Sequence, residues 1–323
     1  MTITTFGTTR TGTPVQRLTL QHGRLRVSLL TWGAALHGVW LDGVDHNLTL
    51  SSDRLADYED ALPYHGTLIA PVINRLTNGS APIGGQLHQF EPNQDGRHSL
   101  HSGATGSHRQ VWDVIDHSPT SATLALVLAD GTGGFPGDRR MTARYSLQNQ
   151  ALQLHITATT TQLTLMNAGN HSYWNLDGTP TWAGHRLRIA ADRTLHTTSD
   201  LTPTGSIQRT ADTPLDLREA RQIAPGSPPL DTCFCLADQN RRLTECLWLT
   251  GQNGLKLTLA TTAPALQVYD GRAAIRPGRV AYEGLAIEAQ GWPDAPNHPH
   301  FPGIDLHPGQ LWQQTTEWHF SPA

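Results

Sequence analysis

Through most of this chain apolar and polar residues alternate with a period of two, as in strands with one face in a core and the other in water. Leu18, Leu20, Leu25, Val27 and Leu29 follow that period, and Trp32, Ala34 and Leu36 extend it. Residues 18–39 therefore predict two or three short strands turning at Gly23 and Gly33. Met141 to Leu147 and Leu152 to Thr160 predict a hairpin across Gln148-Asn149-Gln150. Further strands are expected at Gln86 to Phe90, Ala122 to Leu128, Leu187 to Ile189, Leu247 to Leu249, Leu255 to Leu259 and Leu266 to Tyr269. In the last such run, Leu311 to Phe320, the residues Trp312, Thr316, Trp318 and Phe320 share one parity. Helical patterns are short and few, near Arg54 to Ala61 and Asp216 to Gln222, and nothing resembles the recurring helices of an α/β sheet. The fold class expected is all-β, a large and mainly antiparallel β-sandwich with few short helices. The 21 prolines and 30 glycines are scattered as punctuation and do not gather into a linker, so residues 1–323 are expected to form a single domain.

Composition narrows the function classes. A net charge of −4 provides no basic field, which argues against nucleic acid and anionic membranes as partners. Lys256 is the only lysine, so Schiff-base chemistry on a lysine has no support. The three cysteines, Cys233, Cys235 and Cys246, are an odd number and suit a reducing compartment. With no basic, apolar leader at the start and no long apolar run, a cytoplasmic protein is expected.

Candidate chemistry centres on Leu285-Ala-Ile-Glu288. Strand parity sets Glu288 on the face opposite Leu285 and Ile287. Pro293, Pro296, Pro299 and Pro302 follow, which predicts a stiff irregular loop carrying Trp292, Asn297 and His298. Such a carboxylate reads either as a positioned functional group or as a surface Glu before a turn. Other capable groups lie beside turn residues: Asn74-Arg75 before Asn78-Gly79, His98 and His101 before Gly103, and Asp231 between apolar neighbours. The segment Asn167 to Asn175 gathers three asparagines, His171, Tyr173 and Trp174, a set suited to a neutral polyhydroxylated ligand. The glycine-rich run Asp130 to Gly137 lacks the Gly-Lys-Ser/Thr ending of a phosphate cradle and is expected to be a plain connection. No His-Glu-x-x-His is present, so neither a metal nor a cofactor is expected.

Several of these pieces together resemble the aldose 1-epimerase (galactose mutarotase) family, from about Leu25 to Phe320. They stand in family order: Asn74-Arg-Leu76, Leu100-His-Ser-Gly103, Gly134-Phe-Pro-Gly137, Asn170-His-Ser-Tyr-Trp-Asn-Leu176, Gln267-Val-Tyr269, Ile287-Glu-Ala-Gln290, Pro293-Asp-Ala-Pro-Asn-His298 and Phe301-Pro302. The resemblance implies a large antiparallel β-sandwich and cofactor-free interconversion of the α and β anomers of a free aldose. It implies catalytic roles for Glu288 (general base at the C1 hydroxyl), His171 (general acid at the ring oxygen) and His101 (assisting there). Substrate-binding roles follow for Asn74, Arg75, Asp231, Tyr173 and Gln267. The partner implied is a small sugar, and the protein is expected to be a monomer or homodimer. Four positions depart from the family pattern: Ala70-Pro71 for Gly-Arg, Ser102 for Gly, Trp174 for Phe and Asp270 for Thr. All four are expected near the sugar and bear on substrate choice. A non-catalytic carbohydrate-binding protein and a related sugar-phosphate epimerase remain as alternatives.

Overall fold

The hairpin Arg139–Gln148 and Ala151–Thr160 exhibits the logic of the whole molecule. Met141, Ala143, Tyr145 and Leu147 are buried on one strand, and Leu152, Leu154, Ile156 and Ala158 on the other. Gln148 faces Ala151, so the turn is the two residues Asn149 and Gln150, with φ of 49° and 65°, the positive values that a tight hairpin needs. A computed structural model describes residues 2–321, and nearly all its regular elements are strands paired antiparallel.

The hairpin lies within a nine-stranded sheet ordered Asp113–Ser118, Ser121–Leu128, Arg139–Gln148, Ala151–Thr160, Trp312–Ser321, Lys256–Thr261, Thr244–Thr250, Arg186–Ile189 and Arg221–Gln222. A six-stranded sheet runs Tyr173–Trp174, Leu285–Gln290, Ala265–Tyr269, Asp231–Cys235, Arg193–Thr197 and Pro203–Arg209. A four-stranded sheet takes Thr2–Thr8, Pro14–His22, Leu25–Leu30 and Ala35–Leu41 in chain order. One core cluster joins all three: Leu18, Leu20 and Val27 from the smallest, Phe234, Leu266, Val268, Leu285 and Ile287 from the six-stranded, and Leu154, Leu257 and Trp318 from the largest. This is the β-sandwich the alternation predicts, with side chains from facing sheets sharing one interior. Trp312 is only half-buried, whereas Thr316, Trp318 and Phe320 point inward as expected.

Leu55–Glu59 is the one α-helix among the described residues and falls inside the expected Arg54 to Ala61. The helix expected at Asp216 to Gln222 does not form. Asp216 accepts from the backbone N–H and the guanidinium of Arg218, a local turn that competes with helical hydrogen bonds, and Arg221–Gln222 joins the sheet edge instead. Asp130 to Gly137 is the plain connection expected. Its carbonyls at Thr132, Phe135, Pro136 and Gly137 accept from the fully buried Arg139 guanidinium, which explains a charge inside the protein. No described helix is long and apolar enough to cross a membrane.

The proline-rich segment is irregular apart from one turn of 3-10 helix at Ala295–Asn297. Its role is structural. The Asp294 carboxylate accepts from the Thr77 N–H (2.9 Å) and the Thr77 hydroxyl (2.5 Å), while Asn297 donates to Asp294 (2.6 Å) and to the Ser80 carbonyl (2.9 Å). Trp292 packs with Phe301 in a second apolar cluster. The segment thus anchors the stretch that carries Asn74 and Arg75.

Candidate active site

Parity in the six-stranded sheet separates core from site. Leu285, Ile287 and Ala289 enter the main core, and so do Leu266 and Val268 of the adjacent strand. Glu288 therefore takes the other face, directly across from Gln267, as its sequence pattern requires. On the next strand Cys233 faces Gln267 and Asp231 faces Tyr269, so Asp231 shares the Glu288 face at the strand's end. Gln267 Nε2 donates to Asp231 Oδ1 at 2.5 Å.

The remaining groups come from loops held across this face. Asn74 and His101 face each other at one end of a short antiparallel ribbon in which Arg75 pairs with Leu100. Arg75 Nε donates to Gln94 (2.9 Å), and its Nη2 is 3.8 Å from Asp231 Oδ2. His171 lies between the strands Gly169–Asn170 and Tyr173–Trp174. Its N–H donates to the Thr67 carbonyl (2.9 Å), and its carbonyl accepts from Gly66 (3.0 Å). Gly66 has φ of 72°, and a Cβ there would lie 2.2 Å from the Leu36 carbonyl oxygen, so only glycine lets the two segments approach.

All eight residues expected from the sequence line one cavity of about 530 Å³: Asn74, Arg75, His101, His171, Tyr173, Asp231, Gln267 and Glu288. That volume suits a small molecule. Tyr64, His65, Tyr269 and Arg272 also line it and were not among the expected residues. Tyr64 stacks on His171 (5.7 Å between centroids, 25°) and His65 on Tyr173 (4.3 Å, 21°). Tyr64 and His65 lie in an apolar, turn-rich segment, and only their aromatic character hinted at the site. Tyr269 stands inside the Gln-Val-Tyr motif, the one direct signal missed.

Other expectations need correction. The asparagines near His171 serve the backbone and not a ligand. Asn167 accepts from Gly291 N–H (2.7 Å), Asn170 donates to the Gly66 carbonyl (2.7 Å), and Asn175 donates to the carbonyls of Thr179 and Glu283. Trp174 is buried against Trp318 and Phe320, away from the cavity. Ser102 turns its hydroxyl to the backbone of Val72, donating to the carbonyl (2.9 Å) and accepting from the N–H (2.8 Å). Ala70, Pro71, Ser102 and Trp174 are absent from the cavity wall, and Asp270 reaches it only through Arg272.

At the cavity floor His171 Nε2 is 3.4 Å from Glu288 Oε1, with both side chains almost fully buried. Burial drives the Glu288 carboxyl well above its usual range, the nearby Asp231 adds to this, and Arg75 opposes it. Burial also lowers the His171 imidazole to about 4. The two shifts both disfavour the charged forms and so favour a neutral pair that shares one proton. Burial and the adjacent His171 hold His101 well below its ordinary value, so its ring is neutral near pH 7. His101 Nδ1 accepts from the Asn74 N–H (3.1 Å), which leaves its proton on Nε2. His101, His171 and Glu288 offer atoms within 4.8 Å of one another, close enough to suggest a cation site. The tautomer of His101 argues against it, because Nε2 bears hydrogen and Nδ1 is taken. The set is better fitted to move protons than to ligate a metal.

An acid–base pair at the floor of a cavity on an antiparallel β-sandwich fits an enzyme that moves protons on a small ligand. The comparisons carry this to the family. Residues 16–319 match the family model for aldose 1-epimerase. The chain is 31% identical to galactose mutarotase from Bos taurus over 96% of its length and 95% of the relative's. It is 30% identical to aldose 1-epimerase from Escherichia coli (strain K12), over 96% of each. An aldose epimerase homologue from C. elegans superimposes with a TM-score of 0.89 at 27% identity, covering 95% of this chain and 99% of that one. The chain belongs to the aldose 1-epimerase family and is an isomerase.

Proposed function

We propose that this enzyme interconverts the α and β anomers of a free aldose. Glu288 takes the C1 hydroxyl proton as His171 Nε2 protonates the ring oxygen, and the C1–O5 bond opens to the aldehyde. Rotation about C1–C2 and re-closure on the opposite face, with the proton roles reversed, give the other anomer. His101 donates a hydrogen bond from Nε2 toward the ring oxygen. Arg75 and Asp231 hold sugar hydroxyls, with Asn74, Tyr173 and Gln267 completing the wall. The observation that carries the reading is the 3.4 Å approach of His171 Nε2 to Glu288 Oε1 at the floor of the cavity.

The contributing groups come from segments between Asn74 and Glu288, and we read residues 1–323 as one domain. The reading includes no metal or cofactor, a free sugar as the only small-molecule partner, and a monomer or homodimer. It includes no nucleic acid or membrane partner and a cytoplasmic setting, the last consistent with three buried free thiols.

Polarimetry tests it. Addition of enzyme to freshly dissolved α-glucose, α-galactose or an α-pentose should hasten the decay of optical rotation, equally with and without EDTA. An unaltered decay across a broad aldose panel would contradict the proposal.

A further inference from the structure

Arg272 is a cation of the cavity wall that the proton-transfer scheme leaves unused. It is held with unusual completeness. Its Nε donates to Asp270 Oδ1 (2.8 Å) and its Nη2 to Asp270 Oδ2 (2.6 Å), and Nη2 also reaches the Leu230 carbonyl (3.2 Å). Asp270 is fully buried and accepts from the N–H groups of Arg272 (3.1 Å) and Leu230 (3.3 Å) as well. The Asp270 backbone is pinned in turn, its carbonyl by Trp182 Nε1 (2.8 Å) and its N–H by the Leu230 carbonyl (3.0 Å). Among the described residues Arg272 Nη1 has no acceptor.

Asp270 is buried while the Arg272 side chain is 42% exposed, so the pair is partly screened by solvent and its two-point fork supplies geometry more than stability. The geometry here is directed. Leu230, gripped from both sides, immediately precedes Asp231. Arg75 Nη2 approaches Asp231 Oδ2 at 3.8 Å, and Arg272 Nη2 reaches the carbonyl of Leu230 just before Asp231, so both guanidinium groups stand on the Asp231 side of the cavity. Charge in the cavity favours a neutral ligand. Asp231 balances Arg75, Asp270 already neutralises Arg272, and Asp60 is paired with Arg10. A phosphate or carboxylate substituent would find no surplus positive charge.

We infer that Arg272 is a specificity-determining residue of the sugar site, donating from Nη1 to one hydroxyl of a neutral aldose on the Asp231 side of the ring, with Asp270 as its positioning residue. The inference rests on the anomerase reading. Loss of this contact removes binding shared by ground and transition states, so KM should rise while kcat stays nearly constant.

The test uses three variants, Arg272→Lys, Arg272→Met and Arg272→Met/Asp270→Asn, against galactose or glucose and their monodeoxy analogues. Arg272→Lys retains a cation opposite Asp270, and the double variant removes both charges, so folding does not depend on one design. Wild-type enzyme should show KM raised about tenfold for one monodeoxy analogue. Each variant should show a similar rise for the parent sugar, kcat within about twofold and no further penalty for that analogue. Folded variants that keep the wild-type KM and the wild-type discrimination, or that lose kcat alone, would overturn the assignment. Wild-type enzyme inactive on every aldose would instead defeat the anomerase reading. Calorimetric dissociation constants on the same series would then judge Arg272 separately, and absence of sugar binding or of the deoxy penalty would overturn it too.

Discussion

Asn74 and His101 exchange two hydrogen bonds: His101 N–H to the Asn74 carbonyl (2.9 Å) and Asn74 N–H to His101 Nδ1 (3.1 Å). Both residues have positive φ, 68° and 54°, which is uncommon outside glycine and often concentrated where side chains are aimed at a ligand. The exchange makes His101 a neutral Nε2–H donor. Its replacement by Asn should therefore cost about tenfold in kcat, less than His171→Asn, and leave the pH limits of activity in place. A dead His101 variant beside an active His171 variant would exchange their roles.

The pH profile should bear the mark of burial. His171 lowered to about 4 and Glu288 raised mean that the active ionisation, Glu288 charged and His171 protonated, is the minor one-proton form of the pair. The value of kcat/KM should climb through about 4 as the doubly protonated pair loses one proton. It should fall only when the last proton leaves the pair, at a Glu288 value that burial holds above the ordinary carboxyl range. A rising limb near 6.5, with the protein shown to be folded, would contradict this.

Stability should fall in acid before most carboxylates titrate. His65 and His108 are lowered to about 3 and His171 to about 4, all mainly by burial. Below 6.5 the unfolded chain takes up protons that the folded chain refuses, so stability is complete above 6.5 and is lost as pH drops toward 4. Three such groups together cost roughly 4 kcal/mol per pH unit at most in that window. Urea unfolding at pH 7, 6 and 5 measures it, and His65→Phe, which preserves the stack on Tyr173, should flatten the slope. An unchanged midpoint from pH 7 to 5 would count against the neutral-histidine cluster.

Arg139 predicts a purely structural effect. Its guanidinium reaches four carbonyls inside the protein, and Arg139→Met leaves those of Pro136 and Gly137 unpaired. Stability should drop by about 3–5 kcal/mol while the folded variant retains its kcat. Chemical denaturation reads the first, and polarimetry at low temperature reads the second.

Sequence patterning made the sandwich legible because water lies on one side of most of its strands. The alternation in Met141 to Leu147 follows from that, whereas Leu285–Gln290 is buried throughout and its parity separates the apolar core from the cavity face. Thr2–Thr8, Asp113–Ser118 and Pro203–Arg209 escaped notice because they are edge or outer strands, mostly polar and exposed, with little buried face to impose a period. The eight residues that motifs singled out all line one cavity. Arg272 was not among them, since its place depends on a hydrogen-bond network through Asp270 and Leu230 that no local pattern encodes. The asparagines around His171 misled for the opposite reason, because amide side chains that brace backbone look the same in sequence as those that bind sugar.

The proton transfer between ligand and Glu288 is the centre of the account, and anomeric exchange at equilibrium measures it most directly. Proton exchange spectroscopy on the two anomeric resonances of an aldose gives the interconversion rate without any net change in composition. Wild-type enzyme should accelerate that exchange. Glu288→Gln should reduce the catalysed rate by about 10²–10⁴-fold, yet be the more stable protein at neutral pH. The charge that the fold disfavours above the ordinary carboxyl range is absent from that variant, and the difference should vanish as pH falls through that range. Exchange in Glu288→Gln as fast as in wild type, or a wild type that leaves the exchange at its uncatalysed rate, would contradict the account.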